Sequence, residues 1–340
     1  MKLPADAVGV IRARLAGKRV CVTGGAGFIG GHLVDCLVSV GASVTVIDDL
    51  SNSNLDHLAG LIEVEPTRVR FVQGSILEDL ALADALEGCS LVFHLAAVGS
   101  VQRSIEAPER SWAVNATGTL RVLEAARAVG IRRVVFAASS SAYGETEKLP
   151  KVESMPPNPR SPYAASKLAG EHLLSAWSAA FGMDTISLRY FNVFGPRQPA
   201  DSAYAAVVPA FARRVLSGHR PVIYGDGEQS RDFTFVANAA LATLLAGTSE
   251  RVFTGEVVNV GSGRRVSILA LARLIAERCG RSDLVPEHRP ARAGDVRHSL
   301  ADVTRARDLL GYQPFASLEV GLDETIESLR DDPTPAANQE

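Results

Sequence analysis

Tyr163 and Lys167 are two side chains whose types and spacing suit proton transfer. They lie four residues apart in a run with helical periodicity, so both project from one helix face. An ammonium beside a tyrosine hydroxyl favours the phenolate and lowers its pKa, which makes the tyrosine usable as a general base. Ser139 ends a strand-like run whose carboxyl edge should face a ligand, and its hydroxyl could relay the proton. We therefore predict a catalytic group of Ser139, Tyr163 and Lys167.

A glycine-rich turn predicts a binding site for a dinucleotide. Gly24, Gly27 and Gly30 follow the apolar run 19–23 and precede residues with helical spacing. Glycines at these positions permit a tight turn, let the main chain approach a pyrophosphate, and allow close packing of helix on strand. The helix N-terminus also offers unpaired N–H groups to the anion. Asp48 ends the next predicted strand, where a carboxylate can accept from the ribose hydroxyls of an adenosine.

The residues around Asp48 predict NAD rather than NADP as the cofactor. The carboxylates of Asp48 and Asp49 would repel a 2′-phosphate, and the nearby Asn52 and Asn54 are neutral. The segment 43–67 contains no Arg or Lys that could receive that phosphate.

These candidate residues lie on segments in which strand and helix patterns alternate. We predict strands at 19–23, 43–48, 69–73, 90–95, 133–138 and 185–190, and helices at 3–15, 80–86, 112–129 and 163–181. Another helix should follow the glycine-rich turn. Strands that alternate with helices in this way predict an α/β fold with a parallel, doubly wound sheet of Rossmann type.

After Asn192 the segments become shorter and richer in Gly, Pro and Arg, which predicts a smaller lobe of mixed α/β structure. We expect helices at 268–279 and 303–310 there, and loops that face the carboxyl ends of the sheet. The predicted division is a helical N-terminal extension (1–17), an NAD-binding domain (18–192, with some later segments), a substrate lobe (193–330) and a disordered tail (331–340).

Composition and charge exclude several classes of protein. Of the 340 residues 46% are hydrophobic and 21% are charged, with a net charge of −3, as in packed globular proteins without a polybasic nucleic-acid surface. Residues 1–17 are too polar for a signal peptide, and no apolar run reaches the ~18 residues of a membrane span. The four cysteines have no metal-ligand spacing. We expect no metal site, and reduced thiols in a cytoplasmic protein.

The order of these motifs resembles the extended short-chain dehydrogenase/reductase superfamily over residues 18–329. The chain also contains the similar motifs 94–97 (HLAA), 189–195 (RYFNVFG), 231–233 (RDF) and 292–295 (RAGD). Together they look like the branch of NAD-dependent nucleotide-sugar epimerases and dehydratases. The resemblance implies an enzyme that acts on a UDP-sugar and forms a homodimer through its two long helices.

The resemblance also implies further ligand contacts. Besides Gly24, Gly27, Gly30, Asp48, Tyr163 and Lys167, cofactor contacts are expected at Phe28, Ile29, Asn52, Asn54, Ser75, Ile76, Leu95, Ala96, Ala97 and Tyr190. Contacts to the nucleotide sugar are expected at Ser140, Ser141, Asn192, Val208, Arg231, Arg292, Asp295 and Ser299. Guanidinium groups suit a diphosphate, and Asp295 can accept from a ribose hydroxyl. Members of the family usually carry Asp at the position of Ser75, and that Asp accepts a hydrogen bond from the adenine amino group. Ser75 is shorter and uncharged, so this contact should be weaker.

Ser140 and Ser141 discriminate between the reactions of this branch. The similar 4,6-dehydratases carry Asp and Glu at these two positions, and related decarboxylases and GDP-mannose dehydratases carry Glu at the second. With serine at both, the acid and base that eliminate water are missing. The resemblance then leaves oxidation and re-reduction at one carbon, which is a 4-epimerisation.

Ser299 bears on the choice of sugar. By the resemblance it occupies the position that gates the sugar pocket, and that position is Tyr in enzymes restricted to UDP-glucose and UDP-galactose. A serine leaves room for a 2-N-acetyl group, and these segments look most like the UDP-N-acetylglucosamine 4-epimerases. A UDP-glucuronate 4-epimerase or an enzyme restricted to UDP-glucose stays open, as do a 4-keto-reductase and a non-catalytic dinucleotide sensor on the same fold.

Overall fold

The computed structural model describes residues 3–199, 206–291 and 296–331. Its helices are α1 (Ala5–Leu15), α2 (Phe28–Ser39), α3 (Asp56–Val64), α4 (Asp79–Leu86), α5 (Val101–Glu106), α6 (Pro108–Trp112), α7 (Gly118–Ala128), α8 (Pro162–Phe181), α9 (Val207–Leu216), α10 (Val236–Thr248), α11 (Ile268–Arg278), α12 (Thr304–Leu310) and α13 (Leu318–Arg330). Apart from Asp331, the predicted disordered tail lies outside the described residues.

The strands are β1 (Arg19–Thr23), β2 (Ser43–Asp48), β3 (Val69–Gln73), β4 (Leu91–His94), β5 (Arg133–Ser139), β6 (Asp184–Tyr190), β7 (Val193–Phe194), β8 (Val222–Tyr224), β9 (Ser230–Arg231), β10 (Thr234–Phe235), β11 (Thr254–Val260), β12 (Val266–Ser267) and β13 (Glu287–Arg289). Seven of them form a central sheet in the order β11-β6-β5-β4-β1-β2-β3. All its neighbouring strands are parallel. Every residue of β4 and β6 is buried, as expected for a sheet covered on both faces. The predicted Rossmann-type α/β sheet is confirmed.

The strand order reverses between β1 and β4. At such a point the connections leave in opposite directions and open a crevice at the carboxyl edge of the sheet, where ligands bind in open α/β folds. The ends of β1, β2, β4 and β5 therefore determine which side chains surround the site.

One helix and one strand from the second half of the chain return to the sheet, and the sequence patterns did not predict either. β11 pairs with β6 at the sheet edge, and α10 packs against α2 and α1 in the main core. Every residue of α10 except Leu245 is buried. A helix that is apolar on all sides has no amphipathic stripe, so its periodicity does not distinguish it.

A second hydrophobic core lies among α9, α11 and α13. Phe211, Leu271 and Ile326 are buried in it. Phe28 and Ile29, in the first turn of α2, also contact this core. The glycine-rich turn is therefore located between the two cores.

The helix predicted over 112–129 is present, but it contains a π-helical turn that its helical spacing does not reveal. The segment divides into α6, a π-helical turn (Ala113–Thr117) and α7. Asn115, in the wide turn, is buried and its Oδ1 accepts from Val98 N at 2.8 Å, while its Nδ2 donates to Ser166 Oγ at 3.0 Å. Because these partners are distant in sequence, helical spacing alone could not reveal the distortion, which is frequent at functional sites.

None of the helices in the described ranges has both the length and the apolar character needed to cross a membrane.

Candidate active site

The glycine-rich turn joins β1 to α2 at the reversal point of the sheet. Gly24 has φ +71°, and a Cβ on it would lie 2.6 Å from Ala96 N. A Cβ on Gly30 would lie 2.1 Å from the carbonyl oxygen of Gly24. Gly27 occupies the N-cap position of α2 without a side-chain cap. The first N–H groups of α2 are thereby free to bind an anion, as the sequence predicts for a pyrophosphate.

A cleft of about 780 Å³ runs from this turn along the carboxyl edge. Twelve of the predicted cofactor residues line it: Gly24, Gly27, Phe28, Ile29, Gly30, Asp48, Asn52, Ser75, Ile76, Leu95, Ala96 and Ala97. These residues come from four separate segments, and the parallel strands bring them to one edge.

Gln198 also lines the cleft, and sequence reasoning missed it. Its amide nitrogen donates to Val193 O at 3.1 Å, whereas its Oε1 is buried and has no hydrogen-bond partner. Leaving a buried acceptor unpaired costs about 1–3 kcal/mol. The orphaned acceptor and the space kept free by Gly24 and Gly30 fit a cleft that a polar ligand such as NAD completes.

Asp48 lies at the end of β2, at one end of the cleft. Its Oδ2 accepts from Ala26 N at 3.0 Å. Its Oδ1 accepts from Leu50 N at 3.0 Å and from Ser53 Oγ at 2.9 Å. These three donors orient the carboxylate at the position predicted for the adenosine ribose.

Arg103 corrects the expectation that no cation lies near Asp48. It extends from α5, donates to Asn52 Oδ1, and lines the cleft together with Arg110. The fold brings it there from a distant part of the sequence. The preference for NAD over NADP therefore rests on the Asp48 carboxylate and not on a lack of cations.

Asn54, Ser75 and Tyr190, three further predicted cofactor residues, also form hydrogen bonds within the protein. Asn54 Oδ1 accepts from Asp56 N at 3.0 Å. The Tyr190 hydroxyl lies 2.6 Å from Thr243 Oγ1 in the main core, and burial raises its pKa to about 12. Ser75 Oγ accepts from Leu77 N at 3.2 Å. The four predicted cofactor residues that do not line the cleft are Asn54, Tyr163, Lys167 and Tyr190.

Ser139 and Tyr163 come together as predicted. Ser139 is the last residue of β5, and Ser161 caps α8 by accepting from Ala164 N at 3.1 Å. Burial of the phenol raises the pKa of Tyr163. The hydrogen bond between the Ser139 hydroxyl and the phenol lowers it, but by less. The net result is a phenol that is protonated at neutral pH.

Lys167 does not lower the pKa of Tyr163 in this structure, contrary to the expectation. Its ammonium donates to Ala137 O at 2.8 Å and lies 4.6 Å from the centroid of the Phe136 ring. Burial lowers the pKa of Lys167 to about 7, and the negative charge of Glu171 raises it in part. The four-residue spacing does place Lys167 on the Tyr163 face of α8, but the ammonium is held at the end of β5.

Four of the predicted substrate residues, Ser140, Ser141, Asn192 and Arg231, lie at or shortly after the ends of β5, β6 and β9. Ser140 and Ser141 are partly exposed in a 3₁₀ turn after β5, and Ser141 Oγ lies 2.7 Å from Ser139 Oγ. Asn192 is exposed, has φ +30°, and donates through Nδ2 to Asp232 O at 3.3 Å. Arg231 donates through Nη1 to Ser230 O at 3.0 Å.

Ser299 and Val208 are more enclosed than the other predicted substrate residues. Ser299 is buried, and its main-chain N donates to Ser230 O at 3.0 Å, beside Arg231. The Val208 side chain packs in the second core. Arg292 and Asp295 lie outside the described residues.

Asp232 organises this region, although sequence reasoning gave it no role. It is fully buried and accepts from Ser262 N, Gly263 N and Ala301 N at 2.8, 3.0 and 3.1 Å. Burial raises its pKa in spite of these donors. Asp232 directly follows Arg231 in the 231–233 motif, and this position could have identified it from the sequence.

The sequence matches a known protein family. The match is to the model of the family described as "NAD dependent epimerase/dehydratase family", over residues 20–261. A UDP-glucose 4-epimerase of Mycolicibacterium smegmatis is 40% identical over 314 residues, which cover 92% of this chain and 98% of that protein.

Two solved structures are similar over nearly their whole length. A UDP-N-acetylglucosamine 4-epimerase from Methanobrevibacter ruminantium M1, in complex with UDP-N-acetylmuramic acid, has a TM-score of 0.86 and 38% identity and covers 93% of this chain and 99% of its own. A UDP-glucose 4-epimerase with UDP-glucose from Thermotoga maritima has a TM-score of 0.86 and 38% identity, with 92% and 98% covered. The motifs, the sheet with its cleft, and these matches together establish that the chain belongs to the NAD dependent epimerase/dehydratase family.

Proposed function

We propose that this protein is a UDP-sugar 4-epimerase. The observation that carries the proposal is the 3₁₀ turn after Ser139, in which two serines occupy the positions where dehydratases place an acid and a base. Ser141 Oγ lies 2.7 Å from Ser139 Oγ, so its hydroxyl is close to the catalytic group. A serine hydroxyl can hold a sugar hydroxyl, but its pKa is too high for it to act as the acid or base of an elimination.

The cleft residues would hold NAD. The turn Gly24–Gly30 would bind the pyrophosphate, Asp48 the adenosine ribose, and Lys167 the ribose next to the nicotinamide. When bound, NAD⁺ supplies a hydride acceptor for the sugar C4 and, once reduced, the hydride that is returned.

Tyr163 is the proposed general base and acid. It removes the proton of the sugar 4-hydroxyl, directly or through Ser139, and later returns a proton to the same oxygen. Because burial raises its pKa, Tyr163 becomes a base only when positive charge comes near. The positive charge of bound NAD⁺ would favour the phenolate, and the Lys167 ammonium would do so only after leaving Ala137 O, its partner in this structure.

Retention of the UDP group allows the sugar to present both faces. Arg231 and Arg292 would hold the diphosphate, and Asn192 and Asp295 the rest of the nucleotide. The 4-keto sugar would then rotate between two poses while Ser140 and Ser141 hold its other hydroxyls.

We propose that the pocket accepts N-acetylated sugars and interconverts UDP-N-acetylglucosamine and UDP-N-acetylgalactosamine, as well as UDP-glucose and UDP-galactose. The support is the small side chain of Ser299, buried beside Arg231. UDP-glucuronate is the next candidate substrate, and an enzyme restricted to UDP-glucose is the third.

We also propose a cytoplasmic homodimer and the predicted division into domains. α5, α6 and α8 pack together, and this surface exposes Val101, Ile105 and Trp112 by about half. A paired surface would remove this apolar area from water.

In the proposed division, α10 and β11 join residues 18–192 in the NAD-binding domain, and the second core belongs to the substrate lobe.

One experiment separates the candidate reactions. The purified protein is incubated separately with UDP-glucose, UDP-N-acetylglucosamine and UDP-glucuronate, and the products are identified by proton NMR. We expect a mixture of 4-epimers from UDP-N-acetylglucosamine and from UDP-glucose, without accumulation of NADH. Loss of water to a 4-keto-6-deoxy sugar, or stoichiometric release of NADH, would contradict the proposal.

A further inference from the structure

His94 is a completely buried histidine at the end of β4, and the proposed reaction gives it no role. Its Nδ1 is 2.7 Å from Oγ1 of Thr23, its register partner on β1, and its Nε2 is 2.9 Å from Thr119 Oγ1 on α7. Burial lowers the pKa of His94 to about 3, and the positive charge of Lys167 acts in the same direction. The ring is therefore neutral at physiological pH.

The surrounding hydrogen bonds determine which ring nitrogen carries the proton. The Thr119 hydroxyl donates to Asn115 O at 2.6 Å, which commits its single proton. Thr119 Oγ1 must then accept from His94, and this places the ring proton on Nε2. The remaining nitrogen, Nδ1, accepts the Thr23 hydroxyl proton, and the Thr23 oxygen in turn accepts from Ala96 N at 3.2 Å.

This hydrogen-bonded chain connects the two sides of the cleft. At one end, Thr23 directly precedes the glycine-rich turn, and Ala96 lines the cleft opposite it. At the other end, Asn115 lies in the π-helical turn and donates to Ser166 Oγ at 3.0 Å. Ser166 donates to Tyr163 O at 2.9 Å, so the chain continues to the catalytic helix.

We propose that His94 is a positioning residue, whose neutral ring, protonated at Nε2, fixes the glycine-rich turn relative to the π-helical turn and the start of α8. The inference rests on the proposed function, because it concerns the cleft in which that reaction would occur. With the other tautomer, the Nε2 lone pair would face the lone pairs of the Thr119 oxygen and repel them. The hydrogen bonds can therefore form only with the proton on Nε2. Removing one member of the chain should loosen the cleft without removing a ligand contact.

The first test measures the exchange of NAD bound to the purified holoenzyme against added radiolabelled NAD. Thr119→Val keeps the volume of the side chain but removes the acceptor of the His94 proton, and we expect exchange to be about tenfold faster. Thr119→Ser keeps the hydroxyl and should restore slow exchange. This readout needs no sugar substrate, so it stays informative if the proposed epimerisation fails.

The matched control is Thr325→Val on α13. Thr325 is equally buried and donates to Gly321 O at 2.6 Å, the same distance as the bond from Thr119 to Asn115. We expect Thr119→Val to lose more thermal stability than Thr325→Val, because it also leaves the buried His94 Nε2 proton without an acceptor. Thr325→Val should change NAD exchange by less than about twofold. Equal exchange rates in the two variants would show that His94 only fills space, and would overturn the proposal.

The second test observes the tautomer directly. In protein labelled with ¹⁵N-histidine, the signals of His94 are identified by comparing the wild-type spectrum with that of Thr119→Val, whose change should be confined to the ring next to position 119. We expect a protonated Nε2 and an unprotonated Nδ1 that persist across the neutral pH range. A proton on Nδ1, or a charged ring, would overturn the proposal without any measurement of activity.

Discussion

The ammonium of Lys167 donates to the carbonyl oxygen of Ala137 at 2.8 Å, inside the protein at the end of β5. This single contact places a positive charge where the main core meets the cleft. Burial lowers the pKa of Lys167 to about 7 because the charged form loses its hydration. Holding the ammonium at this buried position therefore costs stability.

The stability of the folded protein should depend on pH through Lys167. In the unfolded chain a lysine has a pKa of about 10.4, above its folded value, so the unfolded state binds more protons between these values. The contribution of Lys167 to the free energy of unfolding is present in full above the unfolded pKa and is lost as the pH falls through about 7. Lys167→Met removes this dependence. Relative to that variant, the wild type should gain up to a few kcal/mol as the pH rises from about 7 to about 10, because each pH unit in this range contributes about 1.4 kcal/mol.

Denaturation with guanidinium at a series of pH values checks this sign. The comparison must use protein freed of NAD, because bound ligand adds its own stabilisation. A difference between wild type and Lys167→Met that stays constant with pH would contradict a lowered pKa for Lys167.

Tyr163→Phe should abolish epimerisation and leave NAD bound. The substitution removes the proposed base but keeps the ring, and a general base contributes about 10²–10⁴-fold to the rate. Initial rates and the NAD content after gel filtration provide the measurement. Ser178→Ala is the control, since it removes a buried hydroxyl near the other end of α8, where Ser178 Oγ donates to Met183 O at 2.6 Å. A Tyr163→Phe enzyme within about threefold of wild type would exclude the assigned role.

Gly30→Ala should prevent tight binding of NAD. Its Cβ would lie 2.1 Å from Gly24 O, so the turn would have to move away from its position below the cleft. Gly60→Ala is the matched control, because Gly60 lies in α3 with nothing within 4 Å of the added Cβ. The control should bind NAD normally and gain up to about 1 kcal/mol in stability. The NAD content of the purified variants distinguishes these outcomes, and equal NAD content would disprove the assigned close approach.

Ser299→Tyr should change the range of substrates. A phenol at this enclosed position would occupy the space that we assign to a 2-N-acetyl group, and overpacking costs about 1–3 kcal/mol. Activity on UDP-N-acetylglucosamine should fall at least about tenfold, whereas activity on UDP-glucose should survive. Parallel rate measurements on both sugars check this. A parallel fall in both activities would assign Ser299 to folding or to nucleotide binding, and not to the choice of sugar.

Trp112→Glu should convert the proposed homodimer to a monomer. Trp112 is 51% exposed in the surface formed with α5 and α8, and a carboxylate there would be buried without a partner if two copies paired. Light scattering at micromolar concentration gives the mass of each variant. Val285→Glu, at a valine that is 63% exposed elsewhere, should leave the mass unchanged. A monomeric wild type would contradict the proposal at once.

The sequence by itself determined the parts of the site that depend on local backbone geometry. The turn that contains Gly24 and Gly30 is recognisable because only glycine tolerates such close approaches, and this requirement is visible in residue type and spacing. Asp48 was found in the same way, since the end of a strand is a local feature. The spacing of Tyr163 and Lys167 also predicted correctly that they share a helix face.

Tertiary structure decided the features that depend on residues distant in sequence. Arg103 reaches Asn52, and Gln198 enters the cleft, because the parallel sheet collects loops from several crossovers at one edge. The π-helical turn follows from hydrogen bonds that Asn115 makes to two other segments. The pKa of Lys167 is likewise a property of its burial and its partners and not of its spacing, because the cost of desolvation exists only after the chain has packed.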